Sequence, residues 1–273
     1  MKKKINVSIV LYYPDFDRVA SDVSELRKSP WVHKIFLVDN TPVQDVRFRD
    51  LGVEYVVSGN NMGYGAGHNL ALRKSIAAGI EYHLVMNEDV SFNYEILEAM
   101  AAKMDKEPDL GLMMPRILNE DGSDQILPKI MPAPVDLAIK VVKPLAILFN
   151  ARCERYTLRK YLDREMDISN GSGCFSFIRV AALEKIGLYD ESFFMYFEDN
   201  DLIRRMLAHY RALYFPSVSI VHSHGRGARK SPRLFRVFLS SACRYFMKYG
   251  WFFDSGRKAA NRRVLEKLRN GVK

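Results

Sequence analysis

The sequence predicts an α/β fold with a mostly parallel sheet flanked by helices and a basic helical extension at the C-terminus. Three observations predict it. Short apolar runs alternate with helix-period segments over the first hundred residues. The runs are nearly continuous in apolar character, as in parallel strands covered on both faces. Thirteen Lys/Arg stand against only Asp254 and Glu266 between residues 229 and 273.

Residues 7–11 (Val-Ser-Ile-Val-Leu) form the first strand, and residues 15–28 read as a helix that must stop before Pro30. Strands follow at 34–38 and 53–57. The small-residue-rich stretch 63–78 is helical, with Gly79 closing it. A strand at 82–86 ends in Asn87-Glu88-Asp89, and 94–106 is the next helix. Residues 119–167 are proline-rich and weakly periodic, a loop-and-helix segment lying over the sheet. Order returns at Asn170, with helices at 181–186 and 198–209 and short strands at 211–215 and 217–221. Residues 232–250 form an amphipathic helix. Arg233, Arg236, Arg244 and Lys248 fall on one arc, with Phe235, Phe238, Leu239, Ala242, Phe246 and Tyr249 opposite.

The 273 residues are 48% hydrophobic and 27% charged, enough apolar material for one large domain and too much for wholesale disorder. Cys153, Cys174 and Cys243 form no CxxC pair, so neither a disulfide framework nor a zinc cluster is indicated and a reducing cytosol fits. The apolar run after Lys2-Lys3-Lys4 is short, polar-interrupted and without a small-residue cleavage site, so a strand is expected there and not a signal peptide. No stretch approaches the length of a membrane span.

The tail's excess of base over acid exceeds the whole chain's +9 and fits an anionic surface, membrane or nucleic acid. Its aromatics lie opposite its arginines, which suits lipid or core better than base stacking, so no nucleic-acid partner is expected. A basic amphipathic helix followed by Trp251-Phe252-Phe253 reads as a membrane-surface element. The alternative is a helix packed on its own domain with a solvated basic face.

Ligands of open parallel sheets bind outside the carboxyl ends of the strands. Tyr12, Asp39-Asn40 and Asn87-Glu88-Asp89 collect at that edge. One carboxylate there can accept from a pyrimidine or a ribose, and another can hold a hard cation that neutralises a diphosphate. Singly, each also reads as a turn cap. Asn61, Gly63 and Asn69 belong to a glycine-rich loop before a helix, which permits close backbone approach to a ligand. Its spacing matches neither a dinucleotide loop nor a Walker loop. Tyr196-Phe197-Glu198-Asp199-Asn200-Asp201 places three acids in four residues, as a helix cap or as a general base for a hydroxyl. His222 and His224 end a strand and are candidate metal ligands.

In this order the motifs resemble family 2 glycosyltransferases of the GT-A fold, a Rossmann-like architecture, and especially the bacterial rhamnosyltransferase-like branch. The resemblance spans about residues 5–225. Val10-Leu11-Tyr12-Tyr13-Pro14-Asp15 is similar to the family's VLYNPD opening, with Tyr13 replacing Asn. Val38-Asp39-Asn40 is similar to its vDN. The run Asn61 to Asn69 resembles its N-x-G-aromatic-x-x-G-x-N. Asn87-Glu88-Asp89 stands where the family has NPD or DxD, with one metal carboxylate left. Gly187 to Arg205 closely resembles GgFDexFFmYxEDvDlxxR.

The resemblance implies a domain over residues 1–225, with a donor-binding half at about 1–118 and an acceptor half at about 168–225, followed by a tail at 226–273. It implies a nucleotide-sugar donor, dTDP- or UDP-linked, held by Tyr12, Asp39, Asn40, Asn61, Gly63, Asn69, Asn87, Glu88 and Asp89. It implies a divalent metal, Mn²⁺ or Mg²⁺, on Asp89 and on His222 or His224, and Asp199 as the base of an inverting displacement. Gly173, Tyr196, Glu198 and Arg205 would face a glycan or lipid-linked acceptor. Rhamnose from dTDP-rhamnose is the leading donor, and the expected place is cytoplasmic, peripheral on the inner face of the plasma membrane. A sugar- or nucleotide-binding protein that kept the fold without catalysis is the alternative.

Overall fold

A computed structural model describes residues 4–141, 147–223 and 231–270. Its sheet has the order β3-β2-β1-β4-β8-β6-β9-β5, with β7 added beside β9. The strands are β1 (Ile5–Leu11), β2 (Val32–Asp39), β3 (Glu54–Val57), β4 (Tyr82–Met86), β5 (Val90–Ser91), β6 (Leu110–Leu118), β7 (Met166–Asp167), β8 (Phe175–Arg179) and β9 (Arg211–His222).

The first four strands of that order are parallel. β1 is buried on both faces, by Ile5, Val7, Ile9 and Leu11 on one and by Asn6 and Ser8 on the other. The apolar face is covered by α1 (Phe16–Lys28), which buries Val19, Val23 and Leu26. Asp15 caps that helix by accepting from the Arg18 N–H at 3.1 Å. On the other face α2 (Tyr64–Ala77) lies close because Gly65, Ala66, Gly67 and Ala71 are small.

The polar groups trapped between α2 and the sheet form a chain of hydrogen bonds, which leaves Asn6 Oδ1 and His68 Nε2 without a partner. The Asn6 amide donates to Ser75 Oγ, which bonds His83 Nδ1. His83 Nε2 then meets Ser8 Oγ, which meets His68 Nδ1, all at 2.7–2.8 Å. Burial keeps both imidazoles neutral. It pushes the His83 pKa down to about 3 and lowers that of His68, with the second histidine adding to the effect.

The parallel arrangement gives way at β8, which runs antiparallel to both β4 and β6. β4 and β8 are separated by many elements and share no crossover helix, so connectivity does not force them parallel. β6 was not legible in the sequence, because Gly111 and Pro115 interrupt its apolar run. Gly111 is required there: a Cβ would lie 2.3 Å from Met206 Sδ. The two short strands expected at 211–215 and 217–221 are one strand, β9. Its register shifts where Phe215 gives way to Ser219, around Pro216, which has no N–H to donate. β5 folds back antiparallel on the end of β9, so that Val90 faces His222.

α3 (Glu95–Lys106) precedes β6, and the middle segment contributes α4 (Pro134–Val141) and α5 (Asn150–Thr157). Then follow α6 (Val180–Ile186), α7 (Glu198–Met206), α8 (Pro232–Tyr249) and α9 (Ser255–Asn270). On α8, Ala242, Tyr245 and Phe246 are buried against Phe193 and Phe197, with Phe238 and Tyr249 at the margin. The C-terminal half of the apolar face of α8 is therefore spent on its own domain, while Phe235 and Leu239 nearer its start stay exposed. Lys248, placed on the basic arc by its helical spacing, donates to Asp190 and Asp201 at 2.7 and 2.6 Å. α9 had no expectation. It is capped by Asp254, which also forms a two-armed pair with Arg204 at 2.6 and 2.7 Å. Asn261 on α9 pins the Met131 backbone with both ends of its amide. The expected boundary at 225–226 and His224 lie outside the described residues. No helix among those described is long and apolar enough to cross a membrane.

Candidate active site

The carboxyl ends of β1, β2 and β4 open onto one edge, as the alternation requires. Tyr12 and Tyr13 are exposed there, and Tyr13 has a positive φ of 52°. Asp39 is buried and committed to its own neighbourhood. One oxygen accepts from the Thr41 N–H at 2.8 Å and the other from the Tyr55 hydroxyl. The Asn40 amide donates to Gly63 O at 3.0 Å, and its own Oδ1 is buried without a partner. Asn61 Oδ1 accepts from the Gly63 N–H at 3.0 Å.

The glycine-rich loop does not lie open at that edge. Gly63, at φ 89°, passes against the Phe194 carbonyl, where a Cβ would sit 2.1 Å from the oxygen. The Tyr64 N–H then donates to Phe194 O at 2.9 Å. Asn69 is buried. Its amide nitrogen reaches Tyr189 O and Glu191 Oε1, each at 2.9 Å, and its oxygen accepts from the Tyr189 N–H at 3.0 Å. This motif joins the donor side to the loop carrying the candidate base.

At the end of β4, the Asn87 N–H donates to Cys174 O at 2.9 Å. Glu88 lies beside the Tyr12 N–H, and its carboxyl is pushed up to about 7 by burial and then by the Asp89 charge. Arg18, which the sequence did not single out, holds this turn by donating from Nε to Glu88 O at 3.0 Å. Asp89 Oδ1 stands 3.1 Å from His222 Nε2. Burial opposes ionisation of Asp89, but His222 outweighs it and the pKa falls. Burial likewise opposes the charge on His222, and Asp89 and then Cys174 overcome it, pushing that pKa up to about 10.

Behind His222, Gln125 closes a two-point clamp. Its amide nitrogen donates to His222 O at 2.6 Å, and its Oε1 meets Nδ1 at 3.0 Å. An amide oxygen at Nδ1 assigns the proton to that nitrogen and leaves Nε2 facing Asp89. Asp89 Oδ1 is buried without an aligned hydrogen bond. The raised pKa of His222 puts a proton between Nε2 and Asp89, and a divalent cation held by the two would take that proton's place. An oxygen and an imidazole nitrogen suit Mn²⁺ or Mg²⁺, and such ions complete their shell with waters and phosphate oxygens. Among the described residues, no group of three His, Cys, Asp or Glu converges to hold a metal.

The candidate base lies one peptide away from this turn. The Gly173 N–H donates to Asp199 Oδ2 at 3.1 Å, while its neighbour Cys174 receives the Asn87 N–H. Gly173 is hemmed by Tyr64, whose hydroxyl donates to Gly173 O at 2.7 Å. Tyr196 and Phe197, both left-handed at φ 67° and 68°, turn the chain so that Glu198 and Asp199 open α7. Such backbone on residues bearing side chains is held only where its surroundings enforce it.

Burial raises the Asp199 pKa against the N–H groups of Asn200 and Gly173, with Lys129 also favouring the charge. Glu198 is raised further, by burial and then by Asp199, and its Oε2 has no partner. The Gly173 and Asn200 N–H groups bond Asp199 and favour its charged form, and Glu198 Oε2 has no such donor. Asp201 is fully buried and neutralised by Arg205, Lys248 and the Tyr249 hydroxyl. Arg205 spends its remaining donors on the carbonyls of Ile186, Gly187 and Leu188, so it braces the loop before α7. Tyr196 packs on Phe238 of α8.

A model of the glycosyl transferase family 2 matches residues 35–187. The chain belongs to that family. This family 2 chain is 25% identical over 233 residues to a Mycobacterium tuberculosis N-acetylglucosaminyl-diphospho-decaprenol L-rhamnosyltransferase, covering 80% of this chain and 75% of that one. It is 28% identical over 177 residues to a low-salt glycan biosynthesis hexosyltransferase of Haloferax volcanii, covering 64% of this chain and 53% of the relative. A GalNAc-T7 structure with UDP, GalNAc and Mn²⁺ superposes at a TM-score of 0.58 and 13% identity, covering 80% of this chain and 43% of that one. A Pyrobaculum calidifontis mannosyltransferase with GDP-Man and Mn²⁺ superposes at 0.53 and 14% identity, covering 100% and 77%. The fold is that of the GT-A enzymes, and the protein is a glycosyltransferase.

Proposed function

We propose that this glycosyltransferase inverts configuration as it moves a sugar from a nucleotide diphosphate to a hydroxyl of a glycan acceptor. The supporting observation is the Gly173–Cys174 peptide, which bonds Asp199 on one side and the Asn87-Glu88-Asp89 turn on the other. The donor diphosphate lies over Asp89 and His222, with Tyr12, Asp39 and Asn40 toward the nucleoside. A divalent cation, when bound there, compensates the charge that builds on the leaving diphosphate. Asp199 takes the proton of the acceptor hydroxyl as its oxygen bonds to the anomeric carbon. The bond to the diphosphate breaks on the opposite face, so the anomeric configuration inverts. Burial and the neighbouring charge push Glu198 toward neutrality, while the Asn200 and Gly173 N–H groups favour the charge on Asp199.

The mycobacterial relative's name supports L-rhamnose as the transferred sugar and a polyprenyl-diphosphate glycan as acceptor. The Mn²⁺ in the titles of two neighbours of the same fold supports a divalent metal. A lipid-linked acceptor places the enzyme at the inner face of the plasma membrane, in surface-polysaccharide synthesis.

Calorimetric titration of UDP-, GDP- and dTDP-sugars with Mn²⁺ or Mg²⁺, and again with EDTA, tests the reading. Metal-dependent binding of one nucleotide class is expected. A folded protein that binds none of them is a binding module that kept the fold.

A further inference from the structure

With Ala242, Tyr245 and Phe246 of α8 buried on the domain, the tail's most exposed run of apolar side chains is the turn after that helix. Trp251, Phe252 and Phe253 are 40%, 74% and 93% exposed. Three consecutive exposed aromatics are costly in water and mark an interaction site when they form a patch. This turn is also firmly built. Gly250, at φ 101°, lets the chain fold so tightly that a Cβ would come within 2.6 Å of Phe253 O. Arg257 reaches back to the carbonyls of Trp251 and Phe252 at 3.3 and 3.4 Å. Asp254, next in sequence, is buried in its pair with Arg204. Trp251 leans on Phe246 with ring centroids 5.3 Å apart, while the two phenylalanines point away.

The two helices flanking this tip are rich in base and poor in acid. Arg236 and Arg244 lie on the outer side of α8, with exposed Met247 between them and the turn, and Lys258 follows in the first turn of α9. Between 231 and 270 the acids are Asp254, already paired, and Glu266, far along α9. A rigid aromatic tip ringed by cations matches the boundary between acyl chains and anionic headgroups.

We infer that the turn at 251–253 inserts into an anionic bilayer surface, with Arg236, Arg244 and Lys258 on the headgroups. This deepens the reading of a lipid-linked acceptor and relocates the contact from the helix face to the turn. It does not depend on the catalytic assignment, because it is read by partition and not by turnover.

The experiment is flotation of the full chain with vesicles of pure phosphatidylcholine and of phosphatidylcholine with phosphatidylglycerol in a roughly 7:3 ratio. Binding to the anionic vesicles is expected, with a blue shift in emission from Trp251 against the partly buried Trp31. The double variant Phe252→Ser/Phe253→Ser should lose at least about tenfold in partition. It should keep its melting temperature and its nucleotide binding, because both side chains are in solvent. Arg236→Glu/Arg244→Glu should erase the preference for anionic vesicles. Equal partition of wild type on both vesicles, or an unchanged double phenylalanine variant, overturns the inference. It is also overturned if wild type self-associates without lipid and the phenylalanine variant does not. Competition by a single-stranded oligonucleotide, with no binding to vesicles, would assign the surface to nucleic acid instead.

Discussion

Two acidic turns sit one peptide apart, and their charges are handled in opposite ways. At 87–89, Glu88 is pushed toward neutrality and Asp89 keeps its charge against His222, with an oxygen that no aligned donor satisfies. At 198–201, the protein supplies its own answer. Burial pushes Glu198 toward neutrality, and Asp201 is neutralised by Arg205 and Lys248. Only Asp199 remains for chemistry. A run of acids therefore contains one working carboxylate and others that fold the site, and the difference lies in the partners.

Removing the working group of the second turn should have the largest effect. Asp199→Asn should cut kcat by about 10³-fold with donor affinity nearly unchanged. Normal turnover by that variant would assign the base elsewhere. Because burial raises the Asp199 pKa, the acid limb of kcat/KM should fall above the usual carboxylate range, activity declining as pH drops and the base is protonated. In the first turn, Asp89→Ala should abolish the difference in donor affinity between Mn²⁺ and EDTA. Gln125→Ala, which only releases the His222 ring, should weaken that metal dependence by about tenfold. Equal affinity with and without metal in wild type would refute both.

Asp201→Asn should act on stability instead. Breaking a buried pair costs about 3–5 kcal/mol, and the half-open Lys248 brings this toward the lower figure. Urea unfolding reads it, and a variant as stable as wild type but inactive would move Asp201 into the chemistry. The smallest effect comes from His68 and His83, which are kept neutral in the fold. The unfolded chain takes up their protons below about pH 6.5, so each histidine's contribution should fall by about 1.4 kcal/mol per pH unit as pH drops, while Glu88 and Asp22, both raised to about 7, contribute in the opposite sense. A His83→Gln variant whose stability has the same pH slope as wild type between about 6 and 5 would contradict this assignment.

Much of this was legible in the sequence where periodicity or local chemistry carried it. β1, α1, β4 and α7 fall within a few residues of expectation, because each is a clean apolar run or a capped helix. β6 was hidden by Gly111 and Pro115, whose fit depends on Met206 and a distant strand. Gln125 carried no signal at all, since its clamp on His222 spans 97 residues. Asn69 and Arg205 were expected to face donor and acceptor because a motif marks a residue without showing what it touches. The structure directs the hydrogen bonds of both at the loop around Tyr189.

The seam between Gly63, Tyr64 and Asn69 and the loop at 187–194 bears on how such enzymes diversify. Each side is cut to the backbone of the other, down to a missing Cβ. A hybrid that took one segment from a relative and left the other in place would bring mismatched halves together. The two stretches have to be exchanged as one cassette, and drift in either is inherited by its counterpart.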